Sequence, residues 1–153
     1  MDIRAPTAGL LPALAFEGAT KRNRPRLVPG DAVYARVEET SRDVEPELSC
    51  LASPAAAGAA LGPLPAGYVL ETNTAHARRL MALPPAPELV ALGTSLAFEV
   101  AVGANGRVLV HSQAPRVTAA VAHALRVCAD LPASERAVAV AAIVAAADRS
   151  AGV

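Results

Sequence analysis

The residues of this chain best suited to chemistry lie in one short run, "TKRNRPR", Thr20 to Arg26. Lys21, Arg22, Arg24 and Arg26 place four positive charges in seven residues, a density able to neutralise a phosphate backbone. Three of the four are arginines, whose planar guanidinium suits bidentate contact with phosphate or carboxylate. No aromatic is interleaved within the run for base stacking. The residues alone therefore leave three uses open: a path for RNA, a solubilising loop, or a loop docked on an acidic protein surface.

Other chemistries have weaker footing. His76, His111 and His123 stand at no recognisable spacing from a nucleophile or carboxylate, so no catalytic constellation emerges. His123 falls off the apolar stripe of its helix and is expected to be solvated. The acidic group from Glu38 to Glu47 carries a proline and no periodicity, which fits a solvated loop better than a metal site or an acid–base pair. No phosphate-binding or dinucleotide fingerprint is present. Cys50 and Cys128 form no CxxC pair and have no histidine at ligand spacing. They read as buried thiols in a reducing compartment. The expectation is no enzyme, no cofactor and no metal.

A second motif is "VGANGRV", Val102 to Val108. Gly103 and Gly106, with Arg107 behind them, have the spacing of the GxxG loop that clamps nucleic-acid backbones. A clamp loop of that kind joins two helices, whereas here "LAFEVAV" and "RVLVHS" alternate with period two on either side. Asn105-Gly106 is the strongest short hairpin signal, both residues tolerating positive φ in a type I′ turn. Gly103, Asn105, Gly106 and Arg107 are therefore read as structural.

The elements that must position these residues follow from composition and punctuation. At 153 residues, with 53% apolar side chains, the chain has material for a core in one domain or two small ones. Aromatics are only 3%, so the core must be built from aliphatic groups and alanine. The formal net charge is zero, and any attraction to phosphate must be local. No apolar run reaches membrane-spanning length, and "VAVAAIVAAA" has the length of a buried helix. No secretory signal opens the chain. An intracellular protein without a membrane partner is the expectation.

From Ala8 to Leu51 the pattern favours short strands: "GLLPALAF", "AVYARVEE" and "PELSCLA", with the basic run between the first two. Val33, Ala35 and Val37 alternate with Tyr34 and Arg36, as in a strand with one face inward. Residues 53–67, rich in Pro, Gly and Ala, read as a linker. Beyond it the order is β, α, α, β, β, α, α. Thr74 is a plausible N-cap, Pro84-Pro85 a stop, Pro87 a first-turn proline and Gly93 a C-cap. Val117, Val121, Ala124, Leu125, Cys128 and Leu131 share a stripe of the next helix, and a final helix runs roughly from Ser134 to Arg149.

Four blocks in order, "FEGATKRNRP", "GDAVYARV", "DVEPELSC" and "FEVAVGANGRVLV", resemble the S1/KH-type cap subunits of the eukaryotic RNA exosome, the family of ribosomal RNA-processing protein forty, also called exosome component three. The likeness runs from about Leu11 to about Leu131. It implies an α+β fold: an incomplete OB-like (S1) β-barrel over 1–52, a linker over 53–67, and a KH-type domain with a C-terminal helix over 68–153. An N-terminal domain and the first barrel strands of that family have no counterpart in this sequence, which reads as N-terminally truncated. Leu109 stands where the family usually carries tryptophan.

The resemblance further implies a non-catalytic protein that stabilises a ring of RNase-PH-like subunits beside other cap subunits. It would guide single-stranded RNA toward 3′-to-5′ processing and degradation in the nucleus, nucleolus and cytoplasm. Lys21, Arg22, Arg24 and Arg26 match the family's basic S1 loop, which raises the RNA path above the other uses. The GxNG block is similar to a packed signature at the S1–KH contact. The alternatives are a free-standing S1–KH RNA chaperone or regulator and, more remotely, a small hydrolase.

Overall fold

The computed structural model describes residues 1–41, 44–52 and 60–149, and the chain divides into two units, Met1–Ala66 and Gly67–Val153. Asp43 of the acidic group and residues 53–59 of the expected linker lie outside the described residues.

The first unit is built from short pieces of strand. β1 (Val33–Tyr34) pairs antiparallel with β4 (Gly62–Pro63), and β2 (Arg36–Glu39) pairs antiparallel with β3 (Glu47–Ser49). The single alternating strand expected across Val33 to Val37 is not formed. The chain changes partner at Ala35, and the β2 register shifts between Val37 and Glu39. No one face persists through such a bend, and Val37, expected inward, is 52% exposed.

"GLLPALAF" is likewise not a strand. Leu10 and Phe16 make only isolated bridges, to Glu47 and Cys50, because Pro12 lacks a ladder donor and a turn closes from Ala15 N–H to the Pro12 carbonyl at 3.0 Å. Those bridges still set a small core: Phe16, Leu48, Ser49 and Cys50 are buried.

The second unit is a three-stranded antiparallel sheet in the order β5 (Tyr68–Glu71), β7 (Arg107–His111), β6 (Glu99–Val102), with four helices. Tyr68 faces Val110 and Glu71 faces Arg107 across one ladder, while Glu99 faces His111 and Val102 faces Val108 across the other. The central strand β7 buries Val108, Leu109 and Val110 in succession. Leu70, Ala77, Leu80, Leu92, Val121, Leu125, Cys128 and Val140 join Val108 and Val110 in one aliphatic core.

Helix ends show where local signals compete. α1 (Thr74–Leu80) is capped by Asn73, one residue before the expected Thr74, because the Asn73 Oδ1 accepts from the His76 N–H at 2.6 Å. α2 (Pro87–Gly93) starts at its proline but runs through Gly93. The C-cap is Thr94, with ordinary right-handed geometry, so Gly93 supplies no left-handed cap. α3 (Pro115–Asp130) buries Val121, Ala124, Leu125 and Cys128 on the expected stripe, and His123 is exposed. α4 (Ala133–Arg149) packs on α2 and α3 through Val140 and Val144, with Ile143 partly buried. It is buried along that face only: Val138 is well exposed, so "VAVAAIVAAA" is a one-sided helix with an alanine-rich apolar outer face, not a fully buried one. Among the described residues no helix is long and apolar enough to cross a membrane.

Candidate nucleic-acid interface

The basic run sits in a long connection between Phe16 and β1 that contains no strand. Turns hold it at several points. The Ala19 N–H reaches the Phe16 carbonyl at 3.1 Å. The Thr20 N–H donates to the Asn23 carbonyl at 2.9 Å, and the Asn23 N–H returns to the Thr20 hydroxyl oxygen at 3.0 Å. Further on, Asp31 N–H donates to the Val28 carbonyl at 3.1 Å across Pro29-Gly30, with Gly30 at φ +106°, and the Asp31 carboxylate accepts from the Val28 N–H at 2.8 Å. Proline followed by positive-φ glycine is the signature of a type II turn. The loop is thus tethered at its foot and at its exit.

Lys21, Arg22, Arg24 and Arg26 are all exposed. None of the four is paired with a carboxylate among the described residues. A set of like charges held close without counter-charges leaves a local positive potential that a polyanion relieves. A shallow groove of about 230 Å³ lies at the loop's foot, lined by Phe16, Glu17, Asn23, Pro25, Gly62 and Pro63 among others. Phe16 is 7% exposed and belongs to the core, so the loop brings charge without a stacking ring.

The glycine motif joins β6 to β7. The Gly106 N–H donates to the Gly103 carbonyl at 3.0 Å and the Gly103 N–H donates to the Arg107 carbonyl at 2.8 Å. Gly106 has φ +82°, whereas Asn105 is not left-handed, since Arg4 is the only non-glycine with positive φ among the described residues. The expected type I′ turn is therefore replaced by a three-residue loop, Ala104 to Gly106, with one left-handed glycine at its end. Asn105 works by another route: its Oδ1 accepts from the Arg107 N–H at 3.1 Å. A side chain on Gly103 would meet that same Oδ1 at 2.5 Å. Arg107 turns back along the sheet to Glu71 at 3.4 Å.

The connection between α1 and α2, residues 81–86, is where a KH clamp glycine pair would stand, and it reads "MALPPA". It has no glycine and no charge, and Leu83 projects into solvent at 91% exposure. Without glycines the loop lacks the bare backbone that a clamp of this kind lays against a phosphate chain.

The histidines do not converge. His76 is fully buried, its Nδ1 2.9 Å from the Thr72 hydroxyl, His111 is half-buried on β7, and His123 is exposed on α3. Burial, followed by the nearby Arg79 charge, lowers the His76 pKa. The cysteines are free and buried, and burial pushes both thiols up. Glu38 pairs with Arg36 at 2.9 Å, and Glu39 and Glu47 are register partners across β2 and β3. Sequence reasoning passed over a second groove, between Tyr68 and α3. Tyr68 and Arg126 are 58 residues apart, and only the sheet-to-helix packing brings them together.

Residues 1–62 match the family described as "Exosome complex component RRP40, S1 domain", and residues 67–116 match the KH domain family. The chain is 41% identical over 129 residues to exosome complex component rrp40 of Schizosaccharomyces pombe, covering 84% of this chain and 53% of that protein. It is 41% identical over 125 residues to exosome complex component RRP40 of Drosophila melanogaster, covering 82% and 53%. The human protein of the same name is 30% identical over 137 residues, covering 89% and 49%. The chain thus spans about half the length of the curated relatives it matches. Its fold is similar to that of a solved structure described as "Crystal structure of putative exosome complex RNA-binding protein", at a TM-score of 0.74 and 19% identity, covering 97% of this chain and 84% of that one.

Proposed function

The chain belongs to the exosome complex component RRP40 family, and from that membership we propose that it is a non-catalytic cap component of an RNA exosome. In this reading it stabilises a ring of RNase-PH-like subunits alongside other cap subunits, and guides single-stranded RNA toward 3′-to-5′ processing and degradation. Residence in the nucleus and nucleolus, with a cytoplasmic pool, goes with it.

The observation that carries the RNA part is the basic loop. Lys21, Arg22, Arg24 and Arg26 are exposed and, among the described residues, without carboxylate partners, on a connection tethered by turns. Exposed arginines with no partner of their own can engage phosphates without first breaking an ion pair. Four charges on a chain of zero net charge give a modest, salt-sensitive affinity. This suits a component that passes RNA along rather than holding it. The glycine-free loop between α1 and α2 supports the same reading, since it directs RNA contact away from a KH clamp.

The test is co-purification. Tagged protein expressed in its own cells is expected to bring down RNase-PH-like subunits, retained through a salt wash. Recovery of the chain with none of them, while it binds RNA tightly alone, would favour a free-standing RNA-binding protein and overturn the proposal.

A further inference from the structure

We propose that the groove between β5 and α3 holds one nucleotide of single-stranded RNA, its base stacked on Tyr68 and its phosphate on Arg126. This site lies wholly in the second unit, whereas the basic loop belongs to the first. It rests on the reading that the chain meets RNA.

Tyr68 opens β5, an edge strand of the sheet, and the residue is 45% exposed. The Arg126 guanidinium donates to the Tyr68 hydroxyl oxygen at 2.9 Å, which holds a cation at the rim of the ring. The walls are Pro115, Ala119 and Ala122, small groups that leave room for a planar partner. His123 and Thr118 also line it. The groove's volume of about 310 Å³ is at the lower end for small-ligand sites, enough for one nucleotide but not for a run of them.

Charge complementarity chooses the occupant. Among the described residues the lining contains a guanidinium and an imidazole and no carboxylate, so it favours an anion. An acidic side chain would satisfy Arg126 but leave the aromatic surface in water. A nucleotide uses both, because its base presents a π-face and its ribose carries a phosphate. The arrangement also supplies what the loop of Lys21, Arg22, Arg24 and Arg26 lacks, an accessible aromatic ring.

The experiment uses the intact chain, a 4-thiouridine-substituted oligouridylate for photocrosslinking, and uridine monophosphate and inorganic phosphate as competitors. Crosslinks are expected on Tyr68 or on α3 between Thr118 and Arg126, suppressed by the monophosphate and not by inorganic phosphate. Tyr68→Ala and Arg126→Ala are each expected to weaken oligouridylate binding about tenfold, the scale of one base–aromatic contact. Tyr68→Phe keeps the stacking face and is expected to retain most of the binding, with thermal unfolding confirming that each variant is folded. Crosslinks confined to residues 20–26, with unchanged affinity in Tyr68→Ala, would overturn this site and leave the loop reading intact. Equal competition by inorganic phosphate would reduce it to an anion site and overturn the stacking. Loss of ring subunits from Tyr68→Ala with unchanged RNA binding would make the groove a protein contact and overturn it too. Absence of RNA binding at both sites would remove this inference together with the proposed RNA path.

Discussion

Arg79 of α1 and Glu88 of α2 meet at 3.1 Å, with the carboxylate fully buried and the guanidinium partly exposed. The same guanidinium donates to the Cys128 carbonyl at 2.9 Å, in the last turn of α3, where helix carbonyls have no partner of their own. One side chain thus ties three helices. Arg79→Ala leaves a buried carboxylate without its cation and an open helix end. The expected loss is about 2–3 kcal/mol in denaturant unfolding, below the figure for a fully buried pair because Arg79 reaches solvent. Replacing both partners, Arg79→Met with Glu88→Leu, is expected to recover much of that loss. If the double variant is less stable than Arg79→Ala alone, the pair is not the source.

His76 is buried and its pKa is lowered, first by burial and then by Arg79 and Arg136, against the opposing pull of Glu88 and Asp130. A lowered folded-state pKa means that the unfolded chain takes up the proton first. This contribution to stability is therefore complete above the ordinary histidine value of about 6.5 and is lost as pH falls from there toward the folded-state pKa. Unfolding midpoints at pH 7.5 and pH 5.5 are expected to differ more in the parent chain than in His76→Gln. Equal pH dependence in the two would remove His76 as the cause.

Gly106 holds φ +82° at the end of the β6–β7 turn. An alanine there faces the left-handed penalty, so Gly106→Ala is expected to cost about 1–2 kcal/mol. Asn105→Ala, which loses the bond to the Arg107 N–H, should cost about 1 kcal/mol. Both are expected to leave RNA affinity per folded molecule unchanged. A variant with full stability and lost RNA binding would make the turn a contact instead.

In the basic loop, Arg22→Ala with Arg24→Ala removes two exposed charges that support no part of the fold. The slope of log affinity for single-stranded RNA against log salt is expected to flatten by about 1.4, two phosphate contacts at about 0.7 each, with an unchanged unfolding midpoint. An unaltered slope would place the RNA elsewhere on the chain.

Much of the second unit was legible in sequence because its signals are local and agree with one another. Alternation on both sides of Asn105-Gly106, a proline at the start of α2 and of α3, and the apolar stripe through Val121, Leu125 and Cys128 each point to the element that forms. The charge of Lys21, Arg22, Arg24 and Arg26 was legible for the same reason: residue type and spacing suffice.

What only the tertiary structure decided depends on which distant residues become neighbours. Val33 to Val37 alternates like one strand, yet β1 and β2 take different partners, so its pattern has no single face to mark. Asn105 avoids the left-handed backbone because the loop places that demand on Gly106 alone. Arg79 finds Glu88 and Cys128, and Tyr68 finds Arg126, only because helices pack across a sheet, and no period of the sequence encodes a contact 58 residues long. Local propensity sets each element, while the burial of aliphatic faces against one another sets which side chains meet.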